Sequence, residues 1–443
     1  MRRRTPTTTA TGSSRAATSG ERTTGERTRP APERGAAVRV KLFSTATPAN
    51  LDATLLAGIV LLLTGFGVVM VLSSSAVEEF VAGNGMSSRF LRQGLFAALG
   101  VPLMLVVARI PSRVMLGRLS WLAFLVAVIL QALVFTPLGF EIQGNRAWLD
   151  LGFTSLQPAE VAKVALCVTL GHLVALKGER IRDWRHVVVP IGLPVAIVIG
   201  LAFLGHDLGT VMVLGALVLG AMWFGGLPKR YLAVVIALAV AGAAVAAAAS
   251  PNRVARITSF LSGECDYEGL CWQTSHGYYA LARGGLLGVG LGNSTAKWSW
   301  LPEADNDFIF AIVGEEFGLL GGLLVIALFL ALAVVLVRIW RATDDPAGRV
   351  AVGGVFSWIM FQALVNIGVV LGLLPVLGVP LPFISSGGSA LVTTLLAMGL
   401  VLSIARRNAA EQHARGIARS GAPAARSVRS GPSRPAPQRK APR

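Results

Sequence analysis

Runs of about twenty apolar residues recur between residues 52 and 405, and each is long enough to cross a bilayer. Inside hydrocarbon the backbone must satisfy its own hydrogen bonds, so only helices and closed barrels span. Membrane strands alternate apolar and polar residues. These runs are continuously apolar, and they predict an all-α polytopic membrane protein. Composition agrees: 14% of the 443 residues are charged and 53% are hydrophobic. A soluble domain would carry about a quarter charged residues.

Ten spans can be placed, at about 52–75, 90–109, 119–137, 157–176, 187–204, 208–225, 231–250, 307–338, 350–373 and 388–405. The gaps after the second, fourth, sixth and eighth are short and basic, with Arg109, Arg113 and Arg118 in the first of them. The remaining gaps hold the acids and the long loops. The positive-inside rule then places both termini in the cytoplasm and the loop over about 251–306, between spans seven and eight, outside. Residues 137–155 read as a turn-rich connection.

The formal charge of +17 is concentrated in the tails, since residues 1–41 and 406–443 each hold ten Lys and Arg. Both tails are rich in Pro, Gly, Ser, Thr and Ala and cannot bury a core. The chain divides into a disordered basic tail (1–50), a ten-helix membrane domain (51–406) and a second disordered basic tail (407–443). No aromatic residues interleave with the charges, which argues against nucleic acid; contact with anionic lipid suits the tails better. The first apolar run begins some 50 residues in, too late for a cleaved signal peptide.

Cys167 lies within an apolar span and reads as a buried thiol. Cys265 and Cys271 flank a five-residue loop. Facing an oxidising compartment they would form a disulfide, the alternative being two free thiols.

Four polar clusters interrupt the apolar pattern. Gln157-Pro158-Ala159-Glu160-Val161-Ala162-Lys163 opens the fourth span. Pro158 suits a first helical turn, and Glu160 and Lys163 share a face. This is either a local ion pair or, because an intramembrane lysine is costly, a functional one. Gly205-His206-Asp207-Leu208-Gly209-Thr210 is a tight turn in which Asp207 caps the sixth span. Glu303, Asp305 and Asp307 crowd the entrance to the eighth span, with Asp307 deepest, directly before Phe308. Asp305-Asn306-Asp307 spells D-x-D, a short pattern that arises often by chance and can hold a divalent cation, Mg or Mn, on a diphosphate; the alternative is that these acids are a solvated helix start. Finally, Ser385-Ser386-Gly387-Gly388-Ser389 reads either as broken helix whose backbone N–H groups face a polar cavity and can bind anionic oxygens, or simply as a tight re-entrant turn. Walker, H-E-x-x-H and G-x-S-x-G patterns are missing, so ATP-driven chemistry is not expected.

In this order and on these spans, the clusters resemble the SEDS family of shape, elongation, division and sporulation proteins. The motifs that carry the resemblance are Q-P-A-E-V-A-K from Gln157, D-L-G-T from Asp207, L-P-E-A-D-N-D-F-I-F-A-I-V-G-E-E-F-G-L from Leu301, and N-I-G-V-V-L-G-L-L-P-V-L-G-V-P-L-P-F-I-S-S-G-G-S from Asn366. V-L-S-S-S-A-V at the end of the first span and the long basic tails are similar to division-type members, actinobacterial ones in particular. There are four departures. His206 stands where the family has proline, Asp305 where it has histidine, Ser386 where it has tyrosine, and Ser299 where many members have an acid. A mechanism needing a second acid at that last point would have to use Asp305.

The resemblance implies a peptidoglycan glycosyltransferase that polymerises lipid II at the division septum of the plasma membrane. It implies work with a class B penicillin-binding protein and other divisome proteins. The family's essential acid falls on Asp307, expected as general base or cation ligand of an inverting transfer. The family's helix-four lysine falls on Lys163, expected to offset diphosphate charge. Gln157, Glu160, Glu303, Ser385, Gly387 and Gly388 are expected to line the substrate cavity. A lipid II flippase without glycosyl transfer, or a divisome scaffold, would share much of this pattern.

Overall fold

The computed structural model describes residues 48–420, except 84, 143, 153, 184, 249–250, 263–268, 270 and 299. Residues 1–47 of the expected basic tail (1–50), Cys265 and the departure at Ser299 therefore lie outside the described residues, while 48–50 already belong to the first helix.

The chain folds as a helical polytopic membrane protein. Helices α1 (Pro48–Val81) and α2 (Ser88–Val107) are followed by a short α3 (Ser112–Met115) and by α4 (Ser120–Leu133). Strands β1 (Gly139–Ile142), β2 (Asn145–Asp150) and β3 (Ser155–Leu156) come next, then α5 (Pro158–Lys177). After a 3-10 turn and the short α6 (Arg185–Val187), a π-helical turn leads into α7 (Leu193–Leu204). Then follow α8 (Leu208–Phe224), α9 (Lys229–Ala248), α10 (Pro251–Ser262), α11 (Trp272–Gly284), α12 (Ile309–Ala342), α13 (Pro346–Val370) and α14 (Gly388–Ser420). Among the described residues six of these, α1, α2, α5, α12, α13 and α14, are long and apolar enough to cross a membrane.

Burial sorts the helices. Helices α5, α13 and α14 are buried over most of their surface and form the centre, whereas α2 turns Leu91, Leu95 and Leu99 outward. Lipid is as apolar as leucine, so helix association in a membrane depends on close packing and on small residues. Gly353 and Gly354 serve this on α13. A side chain at Gly353 would overlap Phe224 of α8, and one at Gly354 would come within 3.0 Å of Cys167 Sγ on α5. Cys167 is the expected buried free thiol.

Three features differ from the expectation. Residues 137–155 are not a plain connection but an antiparallel sheet in the order β1-β2-β3, with Gly139 opposite Leu149 and Leu149 opposite Leu156. The Arg146 N–H donates to the Gly205 carbonyl, tying this sheet to the turn before α8. The loop over 251–306 contains two helices, α10 and α11. And helix continues past Arg406, where a disordered tail was expected, to Ser420. The reason is electrostatic: Arg407 pairs with Glu411 one turn on, at 2.9 Å, and with Asp345, at 2.8 Å, while Arg415 reaches Asp344.

Helix α12 breaks at Gly318, whose φ of 67° is a left-handed conformation that favours glycine. A side chain there would overlap Gly288 N and the Leu286 carbonyl. The break lets residues 285–290 dock on α12 through backbone bonds from Val289 to Glu315 and from Gly290 to Glu316, both 3.0 Å. This docking holds the stretch that leads to Asp307.

Candidate active site

Asp307 occupies the loop just before α12, after Glu303 and Asp305. The loop is held from three sides. The Ser385 hydroxyl donates to the Asn306 carbonyl at 2.6 Å, and the Ser386 N–H donates to the Asp305 carbonyl at 2.8 Å. From α13, the Asn366 amide donates to the Asp307 carbonyl at 2.8 Å and to the Val379 carbonyl at 2.8 Å. From α2, Arg89 donates to Asp305 Oδ1 at 2.9 Å, to Glu79 at 2.6 Å and to Glu78 at 2.9 Å. With its backbone fixed in this way, the Asp307 side chain is half-buried. Its Oδ1 is fully enclosed and has no hydrogen-bond partner.

An enclosed, unpaired carboxylate oxygen is costly as an anion. Burial pushes the Asp307 carboxyl up to about 7, aided by the charges of Glu303, Asp305 and Asp207, with Arg256 opposing. A carboxyl balanced near neutrality is suited to taking a proton from a hydroxyl at working pH.

The expected Lys163–Glu160 pair forms, and it is buried. Lys163 Nζ lies 2.7 Å from Glu160 Oε1 and 3.3 Å from Gln362 Oε1, and 4.7 Å from the Trp358 ring centre. Glu160 also accepts from the Thr393 hydroxyl of α14. Gln362 and Asn366 stand one turn apart on α13, so one helix face contacts Lys163 at one position and the Asp307 loop at the next. The two residues expected to act together are joined through that face; Lys163 itself pairs with Glu160.

Gln157 donates to Asp207 Oδ2 at 3.0 Å, and its own N–H donates to the Ser389 hydroxyl. Asp207 caps α8 as expected, accepting from the Thr210 N–H at 3.0 Å and the Thr210 hydroxyl at 2.7 Å. Glu303 is exposed, has a φ of 56° and accepts from Asn306.

The Ser385–Gly388 turn departs from its expected role. The Ser386 N–H is given to Asp305 and the Gly387 N–H to Gln93 of α2, so these donors do not stand free for anionic oxygens. Gly388 is needed for a different reason: any side chain would overlap the Phe96 ring. The turn acts as a bracket that fixes the Asp307 loop against α2.

The D-x-D pair has one oxygen already engaged. Asp305 Oδ1 is committed to Arg89, and among the described residues no cluster of three or more His, Cys, Asp or Glu is placed to hold a metal. The atypical aspartate is explained by its arginine. Cys271 is disulfide-bonded, while the other expected half of that bridge, Cys265, is among the undescribed residues.

Arg89, Gln362 and Asn366 were not anticipated. Two polar residues four apart in the apolar α13 are a readable signal of a functional helix face. Arg89 had none, because its partner Asp305 lies 216 positions away. A second buried network was also missed: Glu316, just before the Gly318 break, accepts from Ser73 and lies 3.4 Å from Lys297 Nζ.

Residues 53–410 match the family model described as cell cycle protein, the FtsW/RodA/SpoVE group. The chain is 35% identical over 353 residues to the probable peptidoglycan glycosyltransferase FtsW of Mycobacterium tuberculosis, covering 80% of this chain and 67% of that one. Among solved structures, it resembles a chain of a peptidoglycan synthase complex that coordinates polymerization and crosslinking. The TM-score is 0.65 at 29% identity, over 80% of this chain and 97% of that chain. The rod shape determining protein RodA of Thermus thermophilus matches with a TM-score of 0.59 at 26% identity, over 80% and 96%.

Proposed function

We infer that this chain, which belongs to the FtsW/RodA/SpoVE family of cell cycle proteins, is a peptidoglycan glycosyltransferase of cell division. The observation that carries the reading is the Asp307 carboxylate. Its Oδ1 is enclosed and has no partner, and the group is balanced near neutrality on a loop held from three sides. An enclosed carboxylate oxygen without a partner calls for a reason beyond packing, and proton transfer supplies one here.

The substrate is lipid II, whose sugar is carried on a lipid diphosphate. The acceptor hydroxyl attacks the anomeric carbon while the bond from that carbon to the diphosphate oxygen breaks. Asp307 takes the hydroxyl proton, and the diphosphate leaves with the bonding pair. One displacement inverts the anomeric centre, so no covalent sugar intermediate is needed. Asp305 Oδ1 is engaged by Arg89, and the displacement is written with Asp307 as base. Lys163 offsets diphosphate charge and, through Gln362, fixes the α13 face that supports the Asp307 loop. Gln157 and Glu303 line the approach, and Glu160 holds Lys163 in place.

In the membrane we read ten spans, adding α4, α7 with its π-helical entry, α8 and α9 to the six long helices. Both termini are cytoplasmic and the α10–α11 loop lies outside, with enrichment at the division septum. Likeness to a chain from a complex that joins polymerization to crosslinking supports a class B penicillin-binding protein as partner. The purified chain with such a partner is expected to make glycan strands from lipid II, read as polymer on a gel. Lipid translocation without polymer would instead support a flippase, and neither activity a scaffold.

A further inference from the structure

The membrane end remote from Asp307 holds a second polar site. Helix α2 begins beside Asp305 and runs 20 residues, about 30 Å, to its other end. There it meets the start of α3 and the middle of α14 around a half-open cavity of about 380 Å³. Its polar lining is Arg109, Ser112, Arg113, Ser403, Arg406 and Arg407, and no acid lines it.

Two backbone acceptors in this wall are already used. Ser403 donates to the Ile110 carbonyl at 2.6 Å, and Arg406 donates to the Ala108 carbonyl at 3.2 Å. Arg407 is paired with Asp345 and Glu411, and Arg113 lies 3.5 Å from Glu411. The four arginines are thus opposed by two carboxylates outside the cavity, which leaves a positive excess. Ser112 is 1% exposed, and its hydroxyl has no partner. A buried hydroxyl without a partner in the wall of a basic cavity can be satisfied by a ligand oxygen that settles there.

We propose that this cavity binds the phosphate group of an anionic phospholipid. Guanidinium groups match phosphate oxygens in charge and fork geometry, and the Ser112 hydroxyl supplies one more donor. The lipid source is favoured over free phosphate by the adjoining surface. Val106 and Leu105 are 53% and 43% exposed beside the cavity, and Leu99, Leu95 and Leu91 continue an outward apolar stripe along α2. A headgroup seated among the arginines would lay its acyl chains on that stripe.

The test is retention of added phosphatidylglycerol by the purified full chain, measured by native mass spectrometry against phosphatidylcholine. Wild type is expected to retain phosphatidylglycerol. Each basic residue near an anionic lipid surface supplies roughly fivefold in affinity, so Arg109→Gln is expected to lose about fivefold and Arg109→Gln with Arg406→Gln about thirtyfold. Arg109 forms no ion pair among those described, so the single variant keeps the test valid if the double one unfolds. Arg118→Gln, an exposed neighbour outside the lining, is expected to change nothing. Equal loss in Arg118→Gln, unchanged retention in Arg109→Gln, or displacement of the lipid by inorganic phosphate alone would each overturn the proposal.

Discussion

Asp307→Asn is expected to fold, to bind its penicillin-binding partner, and to polymerise lipid II about 10²–10⁴-fold more slowly than wild type, the range that a positioned general base supplies. The substitution keeps the side chain's shape and removes only its capacity to take a proton. The loop around it is held by Asn366, Ser385 and Ser386 through backbone carbonyls, none of which involves the Asp307 carboxyl. Linkage gives a second readout. The folded carboxyl sits near 7 against an ordinary 3.8, so between those values the folded state holds a proton that the unfolded chain has lost. The contribution to stability is therefore complete below 3.8 and declines as pH rises through 7. Thermal unfolding of wild type should lose ground to Asp307→Asn across that window. A variant that is inactive because it is unfolded would contradict this account.

Lys163→Met is expected to be the most destabilising single change among the site residues, by about 3–5 kcal/mol, because it strands Glu160 as a buried charge. Lys163 is 2% exposed and Glu160 is 3% exposed, so water cannot take the lysine's place. Combining it with Glu160→Gln removes both charges, and the double variant should recover to within about 1 kcal/mol of wild type. That non-additivity marks a coupled pair. Polymerisation separates structure from chemistry: the double variant is expected to remain nearly inactive, because the cation assigned to offset the departing diphosphate is gone. Recovery of activity along with stability would assign Lys163 to positioning alone.

Much of this site could be read in the sequence because its chemistry is local. Glu160 and Lys163 are three residues apart on one helix, and Asp207 caps the helix that follows it. Asp307 is the last acid before an apolar run. Apolar length likewise located each of the long helices. What could not be read depends on distant contacts. Arg89 gives Asp305 its role, and nothing near either residue announces the other. Ser386 and Gly387 looked like free donors because their acceptors, the Asp305 carbonyl and Gln93, come from other parts of the chain. The small β-sheet escaped notice because its strands are short and carry glycine and asparagine, which read as turn. Its central strand is anchored to Gly205, also remote in sequence. The continuation of α14 past Arg406 depended on Asp344 and Asp345, which approach only after α13 and α14 have packed.

The central claim is that Asp307 takes the acceptor's proton. The pH dependence of lipid II polymerisation, measured in single turnover with the purified chain and its partner, tests it most directly. The rate should climb roughly tenfold per pH unit and level off above about 7, as the Asp307 carboxyl ionises. The residual activity of Asp307→Asn should lack that limb. A wild-type rate that stays flat from well below to well above 7, or one that Asp307→Asn reproduces in full, would contradict the account.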